Sequence, residues 1–455
     1  MNLHALLSRR AAEDRPLRVG LIGAGKFGSM YLSQAPRTPG THLIAVADLS
    51  PDRARASLRR VGWEEAGFAA RGMEEAARAG TTLVTEDADA LIASPFVDIV
   101  IDATGSPAAG IRHALRAFAA GKHIVMVNVE ADVLAGPLLA RKAAEAGVIY
   151  SMASGDQPAL IAELVDWART IGLEVICAGK GTKYLPAYHA STPDTVWGHY
   201  GFSAEQVAGG DFNPQMFNSF LDGTKSALEM AAVANACGLT PPREGLAFPP
   251  CGVDDLPNVL RPMADGGLLA ERGTVEVVSS LERDGRPVFR DLRWGVYAVF
   301  AAPSPYVRDC FAQYGLRTDE SGRYAATYKP YHLIGLELGI SVASIAVRGE
   351  ATGATGDWRG DVAATAKRAL RAGERLDGEG GFTVYGKLIP AADALAQDAL
   401  PIGLAHNMVL KNDVPAGRAV RWSDVQFDAG QEAIRVRRAM ESLFRQEWGG
   451  AGAAG

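Results

Sequence analysis

Three pairs of side chains in this 455-residue sequence are of the types that handle a polar carbonyl. Lys180 and Lys183 lie three apart in a glycine-flanked turn, Ala178-Gly179-Lys180-Gly181-Thr182-Lys183-Tyr184. Lys225 and Glu229 are one helical turn apart, so they share a helix face. Lys329 and His332 bracket Pro330, just ahead of an apolar stretch that carries Glu337. Reduction of a carbonyl needs a hydride donor and a group that polarises or protonates the oxygen. A phosphate or carboxylate on the substrate needs cations to hold it. All six are therefore candidate catalytic residues. Each has a plainer reading, as a surface ion pair or a solvated loop. Lys225 and Glu229, however, sit in an otherwise uncharged helix, TKSALEMAAVANAC, which points to burial. Arg308, in PSPYVRDCF, is equally an anion holder or a surface residue. No HExxH, paired-carboxylate or nucleophile-elbow pattern stands out, so hydrolase chemistry has no support.

The hydride donor is indicated earlier in the chain. An apolar run, Leu17–Ile22, meets the turn Gly23-Ala24-Gly25-Lys26-Phe27-Gly28. A helix-compatible stretch and a second apolar run follow, ending on Asp48, 20 residues past Gly28. A bare GxGxxG is weak in a chain with 51 glycines; between a strand and a helix, with an acid at the next strand end, it is strong. Gly23 allows the tight turn, Gly25 the approach of a pyrophosphate, and Gly28 close packing of helix on sheet. The helix N-terminus offers free N–H groups to the phosphates, and Lys26 and Phe27 belong to that end. Asp48 is placed to accept from ribose hydroxyls, which favours NAD. Ser50, Arg53 and Arg55 follow and could hold a 2′-phosphate, which favours NADP. Two later turns, Asp102–Pro107 and Asn128–Asp132, face the same crevice, making Thr104, Gly105 and Asn128 secondary cofactor contacts.

These residues require a scaffold that delivers strand ends to one edge. Strands are expected at 17–22, 42–47, 81–85, 97–102, 122–128 and 148–151. Helices are expected at 26–35, 51–60, 86–93, 107–120 and 134–146, with a helical insertion at 61–80 and a leader helix over residues 1–16. The strands are apolar throughout, as strands buried on both faces are. The alternation predicts a Rossmann-type, doubly wound parallel sheet over residues 1–155. Residues 156–350 read as an α+β catalytic and dimerisation domain. Its long patternless segment, 190–223, has the character of a functional loop. Residues 274–300 alternate around Asp284-Gly285, predicting an antiparallel hairpin. An apolar helix is expected over Leu333–Val347. Residues 351–381, rich in glycine, alanine and charge, read as a linker with a helix at 361–372, and residues 382–455 as a small β-rich module closed by a helix over Glu432–Trp448.

Composition narrows the class. The chain is 48% hydrophobic and 22% charged, so it is globular. With 46 basic and 52 acidic residues no basic patch dominates, and nucleic acid is not an expected partner. The four cysteines are far apart and suggest neither zinc nor disulfides. No apolar run reaches the ~20 residues that span a bilayer. With no secretory cleavage pattern at the N-terminus, the expected setting is cytoplasmic, away from membranes.

The quoted motifs also carry a resemblance. GLIGAGKFG, IDATG and GKHIVMVNVE are similar to the cofactor domain of homoserine dehydrogenases. LKNDVPAGRAVRWSDV resembles the SAF module, a small β-clip-like domain. Together with GKGTKYLPAYHASTPDTVWG, FNSFLDGTKSALEMAAVANACGL and YKPYHLIGLELGISVA, they resemble the bacterial 1-deoxy-D-xylulose 5-phosphate reductoisomerase-like oxidoreductases. The resemblance implies an NADPH-dependent rearrangement and reduction of a phosphorylated ketose to 2-C-methyl-D-erythritol 4-phosphate, for isoprenoid synthesis, in a homodimer. Some lysines would hold the phosphate and others polarise the carbonyl. A divalent metal often assists such α-ketol chemistry, although no ligand set is evident. Homoserine dehydrogenases carry an acid and then a lysine four residues on, where this chain has Lys225 and then Glu229; Val129-Glu130 follows Asn128 in place of their lysine. Both departures speak against homoserine. The alternatives are another NAD(P)-dependent reductase of a polar or sugar-derived carbonyl, and a non-enzymatic cofactor- or carbohydrate-binding protein.

Overall fold

The computed structural model describes residues 2–209 and 212–451. It divides into two compact units, residues 1–160 with 332–356, and residues 161–331 with 357–455. Residues 210–211, inside the segment expected to be a functional loop, lie outside the described residues.

The first unit is built on six strands: β1 (Leu17–Ile22), β2 (Thr41–Ala47), β3 (Leu83–Thr85), β4 (Ile99–Asp102), β5 (His123–Met126) and β6 (Tyr150–Met152). All pairs are parallel, in the order β3-β2-β1-β4-β5-β6. Val19, Leu21, Ile44, Val46, Val100, Ile101, Ile124 and Val125 are wholly inaccessible, because helices cover both faces. Each such side chain is worth roughly 1.5–3 kcal/mol relative to exposure. The expected elements appear within a few residues of their predicted bounds, and the order reverses at β1 and β4, where ligands bind in open α/β sheets.

Residues 332–356 pack with this unit, rather than with the domain that precedes them in sequence. The helix lies at Gly339–Arg348, not over Leu333–Val347. Its start is delayed by Gly335, which has φ +76 and lies so close to the Lys26–Gln34 helix that a Cβ would sit 2.6 Å from that of Met30. Leu338, Val342, Ala343 and Ile345 join Leu3 and Leu7 of the leader helix in the core under β1. The apolar stripe is what draws this segment back across the sequence.

The second unit contains β7 (Glu174–Thr182), β8 (Thr274–Ser279), β9 (Val296–Ala301) and β10 (Tyr324–Lys329) in the order β10-β9-β7-β8. The segment expected to be a glycine- and lysine-rich turn is thus the far half of a central strand. A Cβ on Gly179 would lie 1.8 Å from Glu276 O, so the glycines are there for close approach of neighbouring backbone. The hairpin expected over 274–300 is also corrected. β7 stands between β8 and β9, and the Asp284-Gly285 turn closes only the short bridge Leu281–Pro287.

The same unit contains a small module. β11 (Gly360–Ala366) pairs antiparallel with β13 (Val384–Pro390), and β12 (Arg375–Asp377), β14 (His406–Leu410) and β15 (Val425–Gln426) form a second sheet. A strand therefore stands where a linker helix was expected at 361–372. Every residue of β11 is buried, and tertiary burial overrides the helix preference of Asp-Val-Ala-Ala-Thr-Ala. A helix over Glu432–Ala451 ends the described chain. No helix among the described residues is long and apolar enough to cross a membrane.

Candidate active-site groups

The glycine turn of the first unit has the geometry of a dinucleotide cradle. Gly23 adopts φ +96, and a Cβ there would meet Ala103 O at 2.7 Å. A Cβ on Gly28 would lie 2.2 Å from Gly23 O, so the helix packs as close as glycine permits. Gly25 differs, because nothing lies within 4 Å of where its Cβ would be. That open face is where a pyrophosphate meets the N-terminus of the Lys26–Gln34 helix. A crevice of about 670 Å³ runs from there past Asp48, Arg53, Thr104 and Gly105. The residues present fit a nicotinamide dinucleotide.

Asp48 is more committed than expected. One carboxylate oxygen accepts from Ala24 N–H at 2.9 Å, and the other from Ser50 N–H at 2.9 Å and the Arg53 guanidinium at 3.1 Å. It fastens the glycine turn to the end of β2, while Arg53 stays two-thirds exposed beside it. Glu86, Asp87 and Asp89 also line the crevice. At the end of β4, buried Asp102 accepts from Thr104 Oγ1 at 2.7 Å and pairs with His113 Nδ1 at 2.6 Å. Asn128 donates to Thr104 Oγ1 at 3.3 Å and to Ser106 O at 2.9 Å, so it supports the crevice from behind. Lys26 and Phe27 begin the helix but do not line the crevice, and Phe27 packs against the core.

In the second unit the structure brings Lys180 and Glu229 together. The Lys180 ammonium on β7 pairs with the Glu229 carboxylate on the helix Thr224–Cys237, with side chains 8% and 3% exposed. The sequence spacing had coupled Glu229 to Lys225; the buried pairing comes from 49 residues away. Lys225 is the half-buried position in the first turns of a helix whose residues 226–235 are all buried. Lys183 lies just past β7 and donates to His199 O at 2.6 Å. Lys329 ends the edge strand β10, its ammonium 5.9 Å from the centre of the Tyr331 ring. His332 is half-buried and belongs to the first unit, as does Glu337.

Several polar groups escaped sequence reading. Glu276 on β8 is 4% exposed and accepts from the N–H groups of Ala247, Phe248 and Val277. Burial outweighs those three donors and pushes its pKa up to about 7. A lone acid in the apolar run TVEVV was the available signal. His189 is held between Tyr184 Oη at 3.0 Å and Asp222 O at 2.7 Å and stacks on Tyr385, and burial pushes its pKa down. Asp222 and Lys367 form a second buried ion pair at 2.8 Å, joining the small module to the approach of the Glu229 helix. Thr224 Oγ1 accepts from Gly386 N–H, and Asn235 Oδ1 from the N–H groups of Arg359 and Gly360, so both ends of that helix are tied to the module. No group of three or more His, Cys, Asp or Glu side chains arranged to hold a metal occurs among the described residues.

Three families of known proteins match successive stretches of the chain. Residues 23–152 match the NAD-binding domain of homoserine dehydrogenase, residues 155–338 the catalytic domain of oxidoreductase DRL, and residues 362–426 the SAF domain. The SAF match starts within β11. A 1-deoxy-D-xylulose 5-phosphate reductoisomerase of Xanthomonas axonopodis pv. citri (strain 306) is 39% identical over 138 residues, 30% of this chain and 31% of that protein. The enzyme of that name from Xanthomonas campestris pv. campestris (strain 8004) is 44% identical over a stretch of the same length and the same shares. The chain thus spans about a third of the length of these curated relatives. Among solved structures, a homoserine dehydrogenase from Thiobacillus denitrificans is 19% identical, with 49% of each chain covered and a TM-score of 0.36. An NAD binding oxidoreductase from Klebsiella pneumoniae is 16% identical, covering 70% of this chain and 67% of that one, with a TM-score of 0.31. Likenesses that distant carry no argument about the site. With its cofactor domain, its DRL catalytic domain and its SAF domain, the chain is an NAD(P)-dependent oxidoreductase.

Proposed function

We propose that this oxidoreductase uses NADPH to convert 1-deoxy-D-xylulose 5-phosphate to 2-C-methyl-D-erythritol 4-phosphate. The observation that carries the reading is the buried Lys180–Glu229 pair in the catalytic domain. An α-ketol rearrangement moves a proton from a hydroxyl, whose oxygen becomes that of a new aldehyde, to the ketone oxygen, and the following reduction adds a hydride to the aldehyde carbon and one further proton to its oxygen. A carboxylate and an ammonium held in contact away from water suit both tasks. Glu229 takes the hydroxyl proton, Lys180 polarises the ketone and protonates its oxygen as the migrating carbon–carbon bond breaks and the new one forms, and the further proton for the aldehyde oxygen passes through the same pair from solvent. A nicotinamide cofactor held at Gly23, Gly25 and Gly28 would supply the hydride. Lys225, Lys329 and His332 remain candidates for orienting the substrate, and Arg53 for a cofactor 2′-phosphate. The partial matches to reductoisomerases, named for this reaction, support the choice of substrate.

A second reading is an NAD-linked dehydrogenase of a sugar-derived substrate. It is favoured by Glu86, Asp87 and Asp89, whose charge opposes a 2′-phosphate in the crevice. One experiment decides between them: NADPH and NADH oxidation by the purified chain, with 1-deoxy-D-xylulose 5-phosphate and aspartate semialdehyde offered side by side. NADPH-linked turnover of the deoxyxylulose phosphate is expected. Its absence overturns the proposal.

A further inference from the structure

The second unit holds two cations that face no acid. Lys183 donates to the carbonyl of His199 at 2.6 Å, and its ammonium lies 5.6 Å from the centre of the Tyr200 ring. The Arg293 guanidinium lies 4.6 Å over the ring of Trp294. Both cations are half-buried, whereas Trp294 is 61% exposed, so the place is open to a solute. Among the described residues, neither cation forms an ion pair with a carboxylate. Asp291 is used by the backbone N–H of Arg293, at 2.8 Å.

Backbone contacts bring the segments that carry them together. Gly181 N–H donates to Gly295 O at 3.1 Å, and a Cβ on Gly181 would lie 1.9 Å from Leu292 O and 3.0 Å from Arg293 N. Only glycine lets the 292–295 loop lie against the end of β7, from which Lys183 leads off. Burial first, and then the charge of Arg293, lower the pKa of Lys183. The same guanidinium works against the burial that raises Tyr188 and Tyr200. Two like charges that repel one another, partly withdrawn from water, are uncomfortable without an anion. Aromatic faces and a carbonyl relieve them only in part.

We propose that Lys183 and Arg293 together seat a phosphate monoester dianion. The guanidinium fork takes two oxygens and the ammonium a third, matching two positive charges to two negative ones. That this dianion is the phosphate of the reacting ketose rests on the function proposed above; the seat itself does not. Arg293, in a short polar loop, had no sequence signal, and Lys183 had been grouped with Lys180 by spacing alone.

Calorimetric titration of the full chain with inorganic phosphate tests the seat. Binding should weaken at least tenfold in Lys183→Met and in Arg293→Met, with Arg293→Lys in between. Unchanged phosphate affinity in the two Met variants overturns the proposal. A second measurement needs no variant: acylation of Lys183 by an amine-reactive ester, followed by mass spectrometry, should slow at least tenfold at saturating phosphate. Labelling indifferent to phosphate also overturns it. Phosphate held by both residues, with no turnover of 1-deoxy-D-xylulose 5-phosphate, refutes the reaction and keeps the seat. Turnover with an unchanged KM in both Met variants refutes the placing of the ketose phosphate in the seat and keeps the reaction.

Discussion

The crevice of the first unit is made mostly of backbone, whereas the candidate catalytic groups of the second are charges enclosed among strands and helices. At Gly23, Gly25 and Gly28 what counts is the absence of a side chain, and Asp48 acts by fastening backbone N–H groups. At Lys180, Glu229 and Glu276 what counts is a charge or proton kept in surroundings that oppose it. The difference teaches where function and stability are coupled. A cradle of open backbone can lose its ligand without losing the fold. A buried ion pair cannot lose one member without leaving the other stranded.

The sharpest way to break this contrast is Lys180→Met. Turnover in the NADPH assay should fall by roughly 10³-fold, and denaturant unfolding should show a loss of about 3–5 kcal/mol. The double variant Lys180→Met with Glu229→Leu should recover most of that stability and none of the activity. Full turnover in the single variant would make the pair purely architectural.

Glu276 sharpens the same contrast through pH. Its folded pKa is about 7, above the ordinary 4.5, so the folded state keeps a proton that the unfolded state releases. The stability this proton contributes is therefore fully present below pH 4.5 and is lost as pH rises to about 7. Glu276→Gln should remove that dependence. The stability difference between variant and parent should shift by on the order of 3 kcal/mol across this window, in favour of the variant at high pH. Parallel unfolding curves at pH 4.5 and 7.5 would contradict it.

Gly25→Val tests the other side. With free space around the Cβ position and φ −69, the fold should be nearly unaffected, while dinucleotide affinity by fluorescence titration falls about tenfold or more, roughly 1.4 kcal/mol. A large drop in thermal midpoint would show that the cradle is not independent of the fold. The smallest expected effect is at Arg53, exposed and, among the described residues, with its guanidinium anchored only by Asp48. Arg53→Ala should raise the KM for NADPH by about three- to tenfold and leave that for NADH unchanged, because a surface charge acts through screened attraction. Equal effects on both would remove the arginine from any 2′-phosphate role.

The same contrast explains what the sequence made legible. β1 to β6 stand close to their predicted bounds because strands buried on both faces are apolar runs, and the glycine turn is a local pattern. β7 was missed because glycines that usually punctuate a chain here admit neighbouring backbone, a reason visible only once β8 and the 292–295 loop are in place. Ala363 and Ala364 look helical until they are seen buried inside a strand. Lys225 and Glu229 look like partners at a spacing of four, yet the carboxylate is engaged by Lys180 on a different element. Arg293 matters through what does not pair with it, and no local pattern encodes that.

The helix that carries Glu229 has one further consequence. Its first residue, Thr224, receives a hydrogen bond from Gly386, and Asn235, near its last turn, receives those of Arg359 and Gly360. The C-terminal module thus works as a splint that spans the helix from end to end. A shortened chain lacking the module would not be a trimmed enzyme with an accessory removed. It would expose a buried helix with both of its fastenings undone, and evolution or engineering could exchange that module only for another that grips the same two points.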